Sequence, residues 1–188
     1  MRLLVACEFS GIVRDAFIAQ GHDAISCDLL PTDATGPHYQ GNVFDIIDDG
    51  YDLMVAHPPC TYLANSGVSW LFKRPERWQQ MGEGRDFFLA LWDADIPRVA
   101  VENPIPHKHA KLPPYSQLIQ PYNFGHDESK ATCLWLRGLP PLISTVQYMG
   151  TPKQTGHLLP PGPDRWKLRS TTFQGIADAM ANQWGTDG

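Results

Sequence analysis

The chain has 188 residues, 43% hydrophobic and 19% charged, which suits one folded domain with a full core and excludes a disordered or fibrous chain. No stretch of about 18 apolar residues occurs, so no membrane span is expected, and the opening MRLLVACEF reads as a strand rather than a leader. Net charge is −5, yet it is unevenly spread: residues 1–100 carry 7 Lys+Arg against 14 Asp+Glu, and residues 101–188 carry 8 against 6. A basic face inside an acidic protein is therefore one reading, and charges scattered over a solvated surface the other.

In chain order, Arg2 to Glu8 is a continuous apolar run fit for a parallel strand buried on both faces. Phe9-Ser10-Gly11 makes a turn. Ile12, Ala16, Phe17 and Ala19 then recur at helical spacing up to Gly21, a natural helix end. His22 to Cys27 reads as a second strand, closed by Asp28. Strand, glycine turn, helix, strand and acid open a nucleotide-type βαβ unit. Asp28 stands 17 residues after Gly11, placed to accept hydrogen bonds from ribose hydroxyls or simply to form a turn.

Leu29 to Gln40 reads as loop, and Gly41 to Asp45 as a short strand or turn. Leu53 to Ala56 is a buried strand, stopped by His57-Pro58-Pro59 because neither proline donates to a sheet ladder. Cys60 follows at once. Ligands of open α/β sheets collect outside the carboxyl ends of strands, so a thiol on this proline-stiffened loop is placed as a nucleophile. A buried, inert cysteine is the plainer reading.

Val68 to Trp92 reads as helix with one or two breaks, its Trp70, Trp78 and other large residues mostly supplying core. Arg98 to Pro104 repeats the earlier design, an apolar strand ending in Glu102-Asn103 and halted by proline. Glu102 directly after an apolar run is expected to be partly desolvated. Pro106 to Tyr122 reads as loop; His107 and His109 have no completing carboxylate or cysteine nearby, so no metal site is expected. Cys7, Cys27, Cys60 and Cys133 form no CxxC pair, which argues against zinc and disulfides and for a reducing, cytoplasmic setting. Ala131 to Leu136 is a further strand. Pro140 to Arg169 holds six prolines and reads as extended and weakly regular. Its Arg165-Trp166-Lys167-Leu168-Arg169 mixes cations with an aromatic, which suits phosphates and a stacked base or a snorkelling surface. Phe173 to Trp184 closes the chain with a helix.

Taken together these residues resemble the cytosine-C5 DNA methyltransferases, most closely the short, phage-encoded members. Phe9-Ser10-Gly11 looks like their cofactor-binding motif, Asp28-Leu29 like the acid that holds the ribose of S-adenosylmethionine, and Gly41-Asn42-Val43 like the adenine contact. Pro58-Pro59-Cys60 resembles their nucleophile loop and Glu102-Asn103-Pro104 their Glu-Asn-Val motif, about 40 residues on. The helix near Gly175–Ala181 resembles their last motif. The resemblance implies one Rossmann-like α/β domain, a mostly parallel sheet flanked by helices with an antiparallel hairpin late in the sheet. It implies S-adenosylmethionine as cofactor, DNA as partner and Cys60, Glu102, Asn103 and Lys130 as catalytic residues. Pro58 joins the cofactor contacts. Arg165, Lys167 and Arg169 are the expected substrate contacts.

The sequence also departs from that pattern. Val13 replaces the second glycine of the first motif, Asn42 an aspartate, and Thr61 the glutamine after the nucleophile. Lys130 and Thr132 stand where the family has arginines. Residues 105–170 form at most a reduced substrate-facing insert, which implies loose target specificity, a protein partner or self-association, or a smaller substrate. Three other readings stay open: an amino-methyltransferase, a methyltransferase for RNA or a free nucleotide, and a non-catalytic binding protein.

Overall fold

The computed structural model describes residues 1–155, 162 and 165–186. Its strands are β1 (Arg2–Ala6), β2 (Asp23–Asp28), β3 (His38–Gln40), β4 (Leu53–Ala56), β5 (Arg98–Pro104), β6 (Gln117–Ile119) and β7 (Thr132–Arg137). Its helices are α1 (Ile12–Ala19), α2 (Glu76–Trp92), α3 (Arg165–Ser170) and α4 (Gln174–Trp184). The strands form a single seven-stranded sheet in the order β3-β2-β1-β4-β5-β7-β6. The first five are parallel, with Leu3 opposite both Ala24 and Leu53, and Leu53 opposite Arg98. β7 runs antiparallel to both β5 and β6, the late antiparallel hairpin that the family resemblance implied. This is a Rossmann-like α/β fold, a mostly parallel sheet flanked by helices.

The apolar runs are explained by what covers each face. In β1, Leu3 and Val5 point into one core with Leu53, Val55, α1 and α4. Leu4 and Ala6 point into the other, with Met54, Ala56, Val99, Val101 and α2 residues Met81, Phe88 and Leu91. A strand sandwiched this way has no polar face to display. Deleting one of these side chains to alanine costs about 2–5 kcal/mol. Trp135 and Trp184 are almost wholly buried, and their indole N–H groups donate to Pro113 O (2.8 Å) and Pro140 O (3.0 Å).

Strand order reverses between β1 and β4, and the crevice outside their carboxyl ends is where open α/β sheets hold ligands. Gly11 enters α1 with φ at 75°, a left-handed conformation that glycine adopts without strain. The buried Glu8 carboxylate then caps α1, accepting from Val13 N (2.7 Å) and Arg14 N (3.3 Å). Arg14 is fully buried and donates to Ser26 Oγ (3.0 Å) and Thr35 O (3.1 Å), tying the loop before β3 to the sheet.

Several expectations are corrected. His38–Gln40 and Gln117–Ile119 were expected as loop and are edge strands; three residues without alternation carry no local signal, and only pairing with β2 and β7 defines them. The helix expected from Val68 starts at Glu76, after a 3-10 turn at Asn65–Trp70 and Pro75. Trp70 and Trp78, expected in the core, are 45% and 40% exposed. Arg165–Ser170, expected as extended chain, is a short helix. Within 105–170, β6 and β7 are part of the sheet.

Candidate active site

Three strand ends meet at one edge of the sheet. β1 leads into Cys7-Glu8-Phe9-Ser10, β4 into His57-Pro58-Pro59-Cys60, and β5 ends in Glu102-Asn103-Pro104. Because β7 is antiparallel, it starts where β5 ends, with Thr132 opposite Pro104, and this brings Lys130 to the same edge. These segments and residues 169–172 enclose a cavity of about 110 Å³, whose lining includes Phe9, Ser10, Pro58, Cys60, Glu102, Lys130 and Arg169. Seven of the residues singled out from the sequence thus come together across a separation of 160 positions.

The Cys60 loop is fixed from behind. Asn103 is buried and its Nδ2 donates to Pro58 O at 3.1 Å, while Leu63 N and Ala64 N donate to Cys60 O at 3.1 and 2.9 Å. Asn103 therefore positions the loop instead of lining the cavity. Burial pushes the Cys60 thiol above its ordinary pKa, the Glu102 charge pushes the same way, and Lys130 and Arg169 pull it back. Cys7, Cys27 and Cys133 are also raised, chiefly by burial, the last two to about 11, and all four cysteines are free.

Glu102 is engaged by a residue the sequence reading passed over. His57 Nδ1 lies 3.2 Å from Glu102 Oε2, and its side chain is 8% exposed. Burial would raise the Glu102 carboxyl, but the His57 hydrogen bond and charge, with Lys130, outweigh it and hold the group below the usual carboxylate range. With Nδ1 directed at a carboxylate, Nδ1 carries the hydrogen. His57 Nε2 is buried and, among the described residues, has no hydrogen-bond partner. An imidazole nitrogen left in that state is unusual, since buried polar atoms are normally paired. The signal available in the sequence was position: His57 is the last residue before the Pro-Pro stop.

The expected cofactor contacts lie at or after the ends of β1 (Phe9, Ser10, Gly11), β2 (Asp28, Leu29), β3 (Asn42, Val43) and β4 (Pro58). Asp28 Oδ1 accepts from Leu30 N (2.9 Å), and Asp28 O accepts from Gly41 N (2.9 Å), which brings the Asn42 turn alongside. Asn42 Oδ1 caps that turn through Phe44 N (3.2 Å). Leu29 is exposed and Val43 is turned into the core, where it supports the turn.

The basic segment lies against this side. Trp166 packs edge-on against Phe9 (5.7 Å between centroids), Lys167 Nζ stands 5.2 Å over the Phe9 ring, and Lys167 also pairs with Asp33 at 3.1 Å. Lys130 Nζ donates to Arg169 O (2.7 Å) and lies over Phe173. Of the three expected substrate cations, Arg169 lines the cavity, Lys167 faces Phe9, and Arg165 sits at the start of α3. Among the described residues no cluster of His, Cys, Asp and Glu suits a metal ion, and no helix is long and apolar enough to cross a membrane.

No family model matches the chain, and no curated protein matches it. Solved structures similar to it include two methyltransferases. One is a candidate DNA modification methyltransferase encoded within an E. coli prophage, with 14% identity and a TM-score of 0.47 over 87% of this chain and 56% of that one. The other is the Entamoeba histolytica methyltransferase EhMeth, with 13% identity and a TM-score of 0.46 over 86% of this chain and 60% of that one. The chain thus spans a little over half the length of those proteins.

Proposed function

We propose that this protein transfers a methyl group to carbon 5 of cytosine in DNA through a covalent adduct at Cys60. One observation carries the reading: Cys60, Glu102 and Lys130, from three separate segments, line one small cavity at the strand-reversal edge of the sheet. The donor set fits S-adenosylmethionine. Asp28 suits its ribose, and Phe9 already stands under a cation, Lys167, as a sulfonium would require. When bound, that cofactor supplies the methyl group on a positively charged leaving group.

The residues of the chain do the rest. Cys60 bonds to carbon 6 of the ring, which makes carbon 5 nucleophilic; after carbon 5 takes the methyl group, a base removes its proton and Cys60 leaves carbon 6 as thiolate, restoring the ring. Glu102 holds the N3 and N4 edge, where charge develops. The raised Cys60 thiol needs a proton acceptor to act near neutrality. We give that role to the neutral form of His57, which lines the same cavity, keeps Nδ1 on Glu102 and has no partner at Nε2 among the described residues. Asn103 keeps the loop in place. A cavity of about 110 Å³ admits the reacting groups but not a whole nucleoside, so α3 moves aside when cofactor or a flipped base enters.

The test is trapping on DNA that carries 5-fluorocytosine, with S-adenosylmethionine present and Cys60→Ser as control. The fluorine cannot leave as a proton, so a C5 enzyme stalls while bonded to the base. A Cys60-dependent adduct on a denaturing gel, confirmed by mass, is the expected result. An adduct with a 5-fluorocytosine nucleotide or RNA, and none with DNA, would reassign the substrate. Cofactor binding with no adduct on any of these would exclude C5 chemistry, and no cofactor binding would leave a non-catalytic protein.

A further inference from the structure

We infer that the exposed face formed by Trp70, Phe72, Trp78 and His109 is a stacking platform for a single DNA strand, lying beside the cavity that holds Cys60. This rests on the reading of the substrate as DNA and adds the surface that would hold it.

Three large aromatic rings sit at the surface here, with Phe72 72% exposed. Phe72 and Trp78 pack on one another and on His109: Phe72 to Trp78 at 5.8 Å, Phe72 to His109 at 6.0 Å and Trp78 to His109 at 5.3 Å between centroids. His107 continues the row at 4.7 Å from His109. Cations surround the rings. Lys73 Nζ and Arg74 Cζ lie 5.3 and 5.1 Å from the Trp70 ring, and Arg77 Cζ is 4.8 Å from the Tyr62 ring. Lys108 and Lys111, on either side of His109, are exposed. Residues 60–78 and 105–112 together hold five Lys or Arg and one carboxylate, Glu76, in a chain whose net charge is −5.

Exposed rings interleaved with cations are what an unpaired strand requires: a ring face for each base and a positive charge for each phosphate. Bases inside a duplex are already stacked and offer no free face to these rings. A second copy of this chain is a poor occupant, because pairing the face with itself would oppose five cations to five. The face is also continuous with the nucleophile loop, since Arg77 Nη2 donates to Thr61 O at 3.2 Å, the residue directly after Cys60. A strand on the platform therefore leads to the cavity.

The test is fluorescence anisotropy of the full chain with a short labelled DNA strand, its duplex and the same strand as RNA, each over a salt series. The variants are Trp70→Ala/Trp78→Ala, Trp70→Phe/Trp78→Phe, Lys73→Ala/Arg74→Ala and Cys60→Ser. The DNA strand is expected to bind tighter than the duplex. The alanine pair should lose about tenfold or more with an unchanged salt slope, and the phenylalanine pair should recover most of it. Removing the two cations should flatten the slope of log Kd against log salt by about 1.4. Cys60→Ser should bind as the parent does. Full affinity in the alanine pair, tighter binding to duplex or RNA, or a dimer that the alanine pair dissolves would each overturn the proposal. A parent that binds through these rings yet never traps 5-fluorocytosine keeps the platform and loses the proposed chemistry. An alanine pair that traps and binds like the parent does the reverse.

Discussion

The two walls of the cavity are built differently. One consists of strand ends: the β4 loop with His57 and Cys60, and the end of β5 with Glu102 and Asn103. Sheet hydrogen bonds, the Asn103–Pro58 bond and two cores hold it. The other wall is the C-terminal end of the six-residue α3 and residues after it. The polar ties of α3 to the rest of the protein include Lys130 to Arg169 O and Lys167 to Asp33, and Trp166 adds a ring contact with Phe9. Groups that must meet a reacting atom gain from the first kind of support. A segment that must admit a ligand is better held by the second, since exposed pairs of this kind contribute roughly 0–1 kcal/mol. The contrast predicts that chemistry fails on the strand-end wall and access changes on the α3 wall.

The largest expected effect is on the strand-end wall. Glu102→Gln keeps an acceptor for His57 Nδ1 but removes the charge, and it should slow adduct formation by about 10²- to 10⁴-fold in the trapping assay. The same variant has a stability signature. The Glu102 carboxyl is held below its ordinary value in the folded protein, so its contribution is present above the unfolded pKa and is lost as pH falls through the folded one. Thermal melts over the carboxylate range should show the parent losing stability toward acid more steeply than Glu102→Gln. Parallel curves would mean that the His57 contact does not hold the charge.

What the sequence made legible divides along a similar line. The strand ends were readable because an apolar run broken by proline fixes both the strand and the place where it stops. Leu53–Ala56 and Arg98–Pro104 fall where that pattern puts them, with Cys60 and Glu102 immediately after or inside. β3 and β6 were not readable, because three-residue edge strands exist only through their neighbours. The exposed aromatics were misread for a related reason. Periodicity marks Trp70 and Trp78 as one face of a helix, but Trp70 ends a 3-10 turn and meets two cations, while Trp78, in the first turn of α2, meets His109 instead of a core. His57 escaped notice because its significance is a pairing with Glu102, 45 residues away, that no local pattern encodes.

Lys130 tests whether the two walls communicate. Its charge lowers the Cys60 thiol, against the upward push of burial and Glu102. Lys130→Ala should therefore move the pH profile of Cys60 alkylation by iodoacetamide to higher pH, several-fold slower near neutrality, with Cys60→Ser identifying the reacting thiol. The same change frees Arg169 O and loosens α3. Loosening alone would raise the rate at every pH and leave the profile where it was. A profile that rises without shifting would show that the α3 wall shields Cys60 sterically and contributes nothing electrostatic.

The smallest effect concerns Lys167, expected to touch substrate and found over the Phe9 ring. Its pair with Asp33 is partly exposed, 34% and 52% at the side chains, so Lys167→Ala should change the melting temperature little; the pair is worth less than about 1 kcal/mol. The effect should appear in cofactor binding. Lys167 occupies the ring face that a sulfonium would use, so its removal both clears that face and takes one tie from α3. Calorimetry should then give a dissociation constant for S-adenosylmethionine a few-fold lower than the parent's, with trapping chemistry unchanged once the cofactor is saturating. Weaker binding would mean that the ammonium is part of the cofactor site, perfecting a contact with the carboxylate of the ligand, and that α3 belongs with the strand ends as a fixed wall. A slower adduct at saturation would go further and place Lys167 in the chemistry, which is the one outcome the division into a reacting wall and an admitting wall does not survive.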